Sequence, residues 1–218
     1  MFSGLAGRYR VFNRLSSLGL DRQWRRTLVE NLGPHKRVLD VGTGTGDLAR
    51  EMLERYPAVQ VVGVDVSSGM IAEGGRIKGP SPQWVQASAE RLPFVNGSFG
   101  AVVSAFVLRN LFMGGILKVA LQELSRVLEP GGRLVFLDLT RPSNVFVRWG
   151  RGLYGRTILP MIGRSLFGKN WPGSYLESSI RSLPSPQELS ELFLANGFIQ
   201  FECQPLWGGV VSLFIGKK

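Results

Sequence analysis

Arg37-Val-Leu-Asp-Val-Gly-Thr-Gly-Thr-Gly-Asp47, followed by Val61-Val-Gly-Val-Asp65, is the stretch on which the reading of this chain turns. An apolar strand runs into a glycine-rich turn, a helical stretch follows, and a second apolar strand stops at a lone carboxylate about 20 residues beyond the turn. Gly42, Gly44 and Gly46 allow the backbone to bend tightly and to approach a ligand where any Cβ would collide. Asp65 is placed to accept hydrogen bonds from two vicinal ribose hydroxyls. The layout is the front half of a nucleotide-cofactor site.

Two cofactor classes use it. Gly42-x-Gly44-x-Gly46, with Asp40 closing the first strand, is the S-adenosylmethionine (SAM) signature, in which the acidic residue faces the cationic amino acid end of the cofactor. Gly44-x-Gly46-x-x-Ala49 also satisfies the looser dinucleotide fingerprint. SAM is favoured, because the second pattern starts too late after the strand.

Outward from the turn, periodicity alternates strands and helices. It predicts helix 21–32, strand 37–41, helix 45–56, strand 60–65, helix 68–77, strands 83–87 and 99–105, helix 114–128 ended by Pro130-Gly-Gly132, and strand 133–139. Helix 186–196 and strands 198–204 and 209–216 close the chain. Such alternation implies an α/β domain with a mostly parallel sheet covered on both faces. Ligands then bind at the carboxyl ends of the strands, which carry Asp40, Asp65, Ser88, Ala105 and Asp138.

Composition narrows the classes. The chain has 218 residues, enough for one domain spanning 1–218 with a full core. No apolar run reaches the roughly 18 to 20 residues that a membrane span needs. A single cysteine, Cys203, excludes an internal disulfide and a cysteine-rich metal site, so no metal is expected and a reducing, cytoplasmic setting fits. The only histidine, His35, precedes the first strand, at the end opposite the expected site, and is read as a surface residue.

The net charge of +10 is unevenly placed. Residues 1–37 hold eight Lys/Arg against two acids, and residues 141–181 hold seven against one, while the stretch between them is close to neutral. Both basic segments are rich in apolar and aromatic residues, among them Tyr9, Phe12 and Trp24 in the first and Phe146, Trp149 and Tyr154 in the second. Cations interleaved with rings suit an anionic lipid surface, and also nucleic acid. The alternative is a solvated positive face. We read 1–36 as an N-terminal helical cap and 141–184 as a basic, aromatic lid insert whose part 141–168 is amphipathic. The acid-poor first 26 residues also have the look of a transit peptide.

Laid out this way, the chain resembles a class I SAM-dependent methyltransferase (EC 2.1.1 type), and more narrowly the C-methyltransferase family of ubiquinone and menaquinone biosynthesis. The narrower resemblance rests on Tyr9-Arg-Val-Phe-Asn13, Leu18-Gly-Leu-Asp-Arg-Gln-Trp-Arg-Arg26, Ala87-Ser-Ala-Glu-Arg-Leu-Pro-Phe94, Phe106-Val-Leu-Arg-Asn110, Tyr175-Leu-Glu-Ser-Ser-Ile-Arg181 and Gly208-Gly-Val-Val-Ser212. It implies a Rossmann-like, seven-stranded sheet with a reversed last strand. It also implies cofactor contacts at Thr45, Asp65, Met70, Ser88, Ala89 and Ala105, beside Asp40 and the three glycines. With Tyr9 and Asn13 matched to domain residues, the transit-peptide reading recedes. Departures from the family pattern occur at Arg10, Arg14, Val107, Gly173 and Ser178, all on the acceptor side.

The family activity implied is ring methylation of a prenylated quinol. Carbon methylation needs an adjacent hydroxyl to lose its proton, with the developing phenolate held by a positive donor. Arg109 and Asn110, just past the fourth strand, are expected in that role; the alternative for Arg109 is an ion pair with Asp138 or Glu90. Asp138 or a held water is the expected proton acceptor. Tyr9, Asn13, Tyr175 and Arg181 are expected to line the acceptor pocket. The partners expected are a prenylated quinol or another hydrophobic small molecule and an anionic membrane surface, with peripheral attachment to its inner face; homodimer formation stays open. Another small-molecule or phospholipid amine methyltransferase is the first alternative, and a non-catalytic SAM-binding protein another. An RNA methyltransferase stands lower, because the chain has no Asn/Asp-Pro-Pro-Tyr element.

Overall fold

The computed structural model describes residues 6–142, 144–168, 171 and 173–218, with the side chains of residues 6–9 and 174 outside the description. Helices α1 (Ala6–Ser16) and α2 (Leu20–Leu32) precede β1 (Arg37–Val41), α3 (Asp47–Arg55), β2 (Gln60–Asp65), α4 (Ser68–Arg76) and β3 (Gln83–Gln86). Then come β4 (Phe99–Ala105), α5 (Leu108–Met113), α6 (Leu117–Val127), β5 (Leu128–Leu139), α7 (Val145–Phe167), α8 (Gly173–Ser182), α9 (Pro186–Leu194), β6 (Gln200–Leu206) and β7 (Val211–Lys217).

The strands form one seven-stranded sheet in the order β3-β2-β1-β4-β5-β7-β6. β1 pairs in parallel with both β2 and β4, and β4 with β5, whereas β7 runs antiparallel to β5 and β6. The order reverses at β1, so the ends of β1 and β4 open onto the crevice where ligands of such sheets bind.

Strand side chains alternate between two apolar layers, as a period of two requires. Leu39, Val102, Leu134, Phe136 and Phe214 pack with α5, α6 and α9 on one face. Val38, Val103, Val135, Leu137 and Leu213 pack with α2 and α3 on the other. Asp40, two residues after Val38, therefore shares the α2 and α3 side, and Asp138 shares the α5 side with Phe136.

The structure departs from expectation in places. The helix expected over 114–128 starts at Leu117 and ends at Val127, before Pro130; Leu128 already pairs with Phe99, and a register shift follows between Phe99 and Ala101. A separate short helix, α5, holds the Leu108-Arg109-Asn110 stretch, α1 forms inside the expected N-terminal helical cap, and α8 forms within the expected lid insert.

Candidate active site

The residues of the glycine turn gather around a cavity of about 510 Å³, within the range of small-molecule sites. Its wall includes Asp40, Gly42, Gly44, Thr45, Asp65, Met70, Ser88, Ala89 and Ala105, together with Asn13 of α1 and Asn110 of α5. The turn works because its glycines have left-handed backbone: φ is +66° at Gly42, +56° at Gly44 and +79° at Gly46. At Gly44 a Cβ would meet nothing within 4 Å, which leaves open space for a ligand's close approach. At Gly42 a Cβ would lie 2.4 Å from Val107, so the valine that departs from the family pattern closes over the turn. Gly46 does not line the cavity; it caps α3 beneath Trp84, and that is its contribution.

Behind the turn stands a strut. The buried Arg50 guanidinium donates to the Gly74 carbonyl at 2.6 Å and to the Thr45 carbonyl, tying the turn to α4. Trp84 fills the space over Gly46 and Gly74, where added Cβ atoms would lie 2.6 and 2.4 Å from its ring. The turn is thus held in shape by groups that sequence spacing did not mark.

The carboxylates are held differently. Asp65 accepts from the Gly44 N–H and the Ser67 N–H, each at 2.8 Å, so its oxygens are oriented while keeping lone pairs for hydroxyl donors. Asp40 is buried and accepts from Thr43 Oγ1 at 2.6 Å. Burial pushes its carboxyl up to about 7; the neighbouring Asp65 adds to the rise, and the Thr43 hydroxyl and Ala49 N–H oppose it. An oriented carboxylate for vicinal hydroxyls, a left-handed glycine cradle and a second carboxyl in the same wall fit SAM.

Besides Gly46, four residues expected in catalytic or acceptor roles lie elsewhere. Arg109 is buried and does not line the cavity: its Nε donates to Asp138, its backbone N–H to Asp138 Oδ2 at 3.0 Å, and Nη1 to Ser179 Oγ at 2.9 Å. The ion pair considered as the alternative is the one found, with Asp138 as the partner. Asp138, fully buried, also accepts from the Leu139 N–H at 2.7 Å, so its oxygens are occupied away from the cavity. The physical reason for both corrections is parity: Asp138 points into the α5 layer, where its buried charge needs a cation beside the two backbone N–H groups. Tyr175 does not line the cavity but donates to Asn110 Oδ1 at 3.2 Å, docking α8 on a residue that does. Arg181 is exposed and paired with Glu177. The Tyr9 side chain lies outside the described residues.

Arg10, expected only as a departure on the acceptor side, lines the cavity and pairs with Asp47 at 3.1 Å, and sequence reasoning missed Arg25 and Phe106 in the wall. Phe106 has φ +65°, a strained state for an aromatic residue, where β4 turns into α5. The left-handed bend thus falls one residue before Val107, which is how a β-branched residue is tolerated there.

Comparison with known proteins decides the class. A family model described as the ubiE/COQ5 methyltransferase family matches residues 1–218. The chain belongs to that family. It is 38% identical over 225 residues to a demethylmenaquinone methyltransferase of Thermus thermophilus, covering 100% of both chains. It is 37% identical to a ubiquinone/menaquinone biosynthesis C-methyltransferase of Syntrophotalea carbinolica, over 100% of this chain and 92% of that one. Among solved structures, a SAM-dependent methyltransferase of Thermotoga maritima superposes with a TM-score of 0.68 at 19% identity, covering 100% of this chain and 97% of that one. Human N-acetylserotonin methyltransferase in complex with SAM gives 0.65 at 16%, covering 97% and 55%. The chain of this ubiE/COQ5 family member is a Rossmann-like SAM-dependent methyltransferase, and SAM is its cofactor.

Proposed function

We propose that the enzyme methylates a ring carbon of a prenylated quinol, a demethylmenaquinol or a ubiquinol precursor, in quinone biosynthesis. The observation that carries this reading is the full-length similarity to relatives named for that reaction. When bound, SAM supplies an electrophilic sulfonium methyl for in-line displacement, so positioning of the acceptor carries much of the catalysis. Asn13, Phe106, Val107, Asn110, Leu111 and Ile116 also line the cavity, and we take this apolar wall with two amides as its acceptor side. Asn110, steadied by the Tyr175 hydroxyl, is the residue that orients the quinol oxygen. Arg109 acts behind it as a positioning residue, since Asp138 and Ser179 occupy its guanidinium. The described residues place no histidine at the cavity, and Asp138 is enclosed, so the hydroxyl proton leaves through water at the Asn110–Tyr175 edge.

Labelled SAM and demethylmenaquinol test the assignment directly: label should enter the ring-methylated quinone. Label in an amine lipid, with none in the quinol, would favour the alternative acceptor class.

We place the enzyme peripherally on the membrane that holds such an acceptor. Among the described residues no helix is long and apolar enough to cross a membrane. Yet α7 exposes Phe146 at 85% and Trp149 at 72%, with Leu153, Ile158 and Met161 also outward. Val11 and Leu15 are exposed on α1, and the Tyr154 hydroxyl donates to the Ser16 carbonyl to tie the two helices together. Neither helix contains an Asp or Glu, whereas Arg14, Arg148, Arg156 and Arg164 are exposed on them. Apolar rings among uncompensated cations match an anionic headgroup layer, at roughly 1 kcal/mol per cation held near the surface, screened by salt. In vesicle sedimentation the protein should bind anionic vesicles at low salt far better than neutral ones, and equal binding to both would refute the placement.

A further inference from the structure

An arginine occupies the buried stripe of α2. Asp21, Trp24, Leu28, Val29 and Leu32 face inward from this helix. Arg25 lies on the same stripe, four residues from Asp21 and from Val29, with its side chain only 11% exposed. Burying a guanidinium is costly unless its donors are met. Asp21 meets one of them: Arg25 Nη2 donates to Asp21 Oδ2 at 2.9 Å, and the other Asp21 oxygen is held by Ser17 Oγ at 2.9 Å. That bond fixes the guanidinium from behind. The Arg25 Nε–H is enclosed and has no acceptor among the described residues. A guanidinium has five donors in a rigid fork, and one carboxylate oxygen does not use them.

What lies before Arg25 is the cofactor cavity, whose wall it helps form. It is close enough to Asp40 to favour that carboxyl's charged form against the cost of burial. The other arginine in the wall, Arg10, is half exposed and already paired with Asp47. The amino acid end of SAM carries one ammonium and one carboxylate. Asp40 offers the wall a carboxyl whose ionised form an ammonium would stabilise, and Arg25 offers an under-used planar cation for the carboxylate.

We infer that Arg25 is a cofactor-binding residue that receives the carboxylate of the amino acid end of SAM, so that Arg25 and Asp40 together recognise a zwitterion. The contact concerns the donor alone and is independent of which acceptor is methylated. It also gives the N-terminal helices a chemical task, because the arginine reaches the turn from α2 rather than from the sheet.

Calorimetry with three nucleosides tests it. S-adenosylhomocysteine has both amino acid charges, its decarboxylated analogue only the ammonium, and 5′-methylthioadenosine neither. The unsubstituted protein should bind the decarboxylated analogue about 10- to 100-fold more weakly than S-adenosylhomocysteine, as expected for a charge-assisted contact. Arg25→Gln should lose about the same factor for S-adenosylhomocysteine while binding 5′-methylthioadenosine within about twofold of the parent, and Arg25→Lys should recover part of the loss. Asp65→Ala, at the ribose, should weaken all three ligands together. Equal binding of the carboxylated and decarboxylated ligands by the parent protein overturns the inference, and that arm needs no variant to fold. So does an Arg25→Gln protein that loses S-adenosylhomocysteine and 5′-methylthioadenosine in equal measure, which would make Arg25 a packing residue.

Discussion

Arg109→Ala is expected to lower the unfolding free energy by about 3 to 5 kcal/mol, the cost of leaving a buried charge without its partner. Asp138 is 0% exposed, so once the guanidinium is gone only the backbone N–H groups of residues 109 and 139 face its carboxylate. Ser179 Oγ loses the donor that joins α8 to α5 at the same time. For a chain of this size the melting temperature should drop by roughly 10 °C. Arg109→Leu combined with Asp138→Asn should recover part of that loss, because neither charge then remains in the core. By contrast, breaking the exposed Arg181–Glu177 pair, each side chain 65% exposed, should change stability by less than about 1 kcal/mol. Thermal and urea unfolding of the variants decides the matter. An Arg109→Ala protein that melts like its parent but turns over about 100-fold more slowly would return Arg109 to direct phenolate stabilisation.

The second large effect follows pH. The Asp40 carboxyl is lifted from 3.8 to about 7, first by burial. Between about pH 4 and pH 7 the folded protein therefore keeps a proton that the unfolded chain has already released, and stability falls as pH rises across that window. At about 1.4 kcal/mol per pH unit over roughly three units, this one group removes about 4 kcal/mol by neutral pH. Asp40→Asn removes the titration. Urea midpoints of parent and variant at about pH 4.5 and about pH 7.5 should show the variant gaining on the parent at the higher pH. If the difference between the two proteins stays constant with pH, Asp40 is not the titrating group.

What could be read from the sequence was governed by distance along the chain. Strands 37–41, 60–65 and 99–105 lie where alternation and apolar runs put them, because a buried strand leaves its signature within a few adjacent residues. The gathering of Asp40, Gly42, Gly44, Thr45 and Asp65 around one cavity was legible for the same reason: the first four are consecutive or nearly so, and Asp65 ends the neighbouring strand. The segment of α7 was read as an amphipathic part of a lid, but its four glycines, Pro160 and arginines spread around the helix leave no single apolar stripe. Arg109 was misread because its position beyond β4 suits catalysis as well as structure, and only the pairing of β5 with β4 brings Asp138 beneath it. Arg25 gave one faint signal, a cation on the apolar stripe of α2, and its meaning depends on a helix folding back over a turn that comes later in the chain.

The Arg50 and Trp84 strut changes what the glycine motif can be asked to do. Gly42–Asp47 supplies much of the cavity wall, but its shape is underwritten by an arginine on α3, a glycine on α4 and an indole on β3. Grafting the hexapeptide alone into another α/β scaffold would carry over its contacts and leave its bracing behind. The portable unit is the turn with Arg50, Gly74 and Trp84 attached, a span of three elements, and a design that moves all of it inherits a turn already in its working shape.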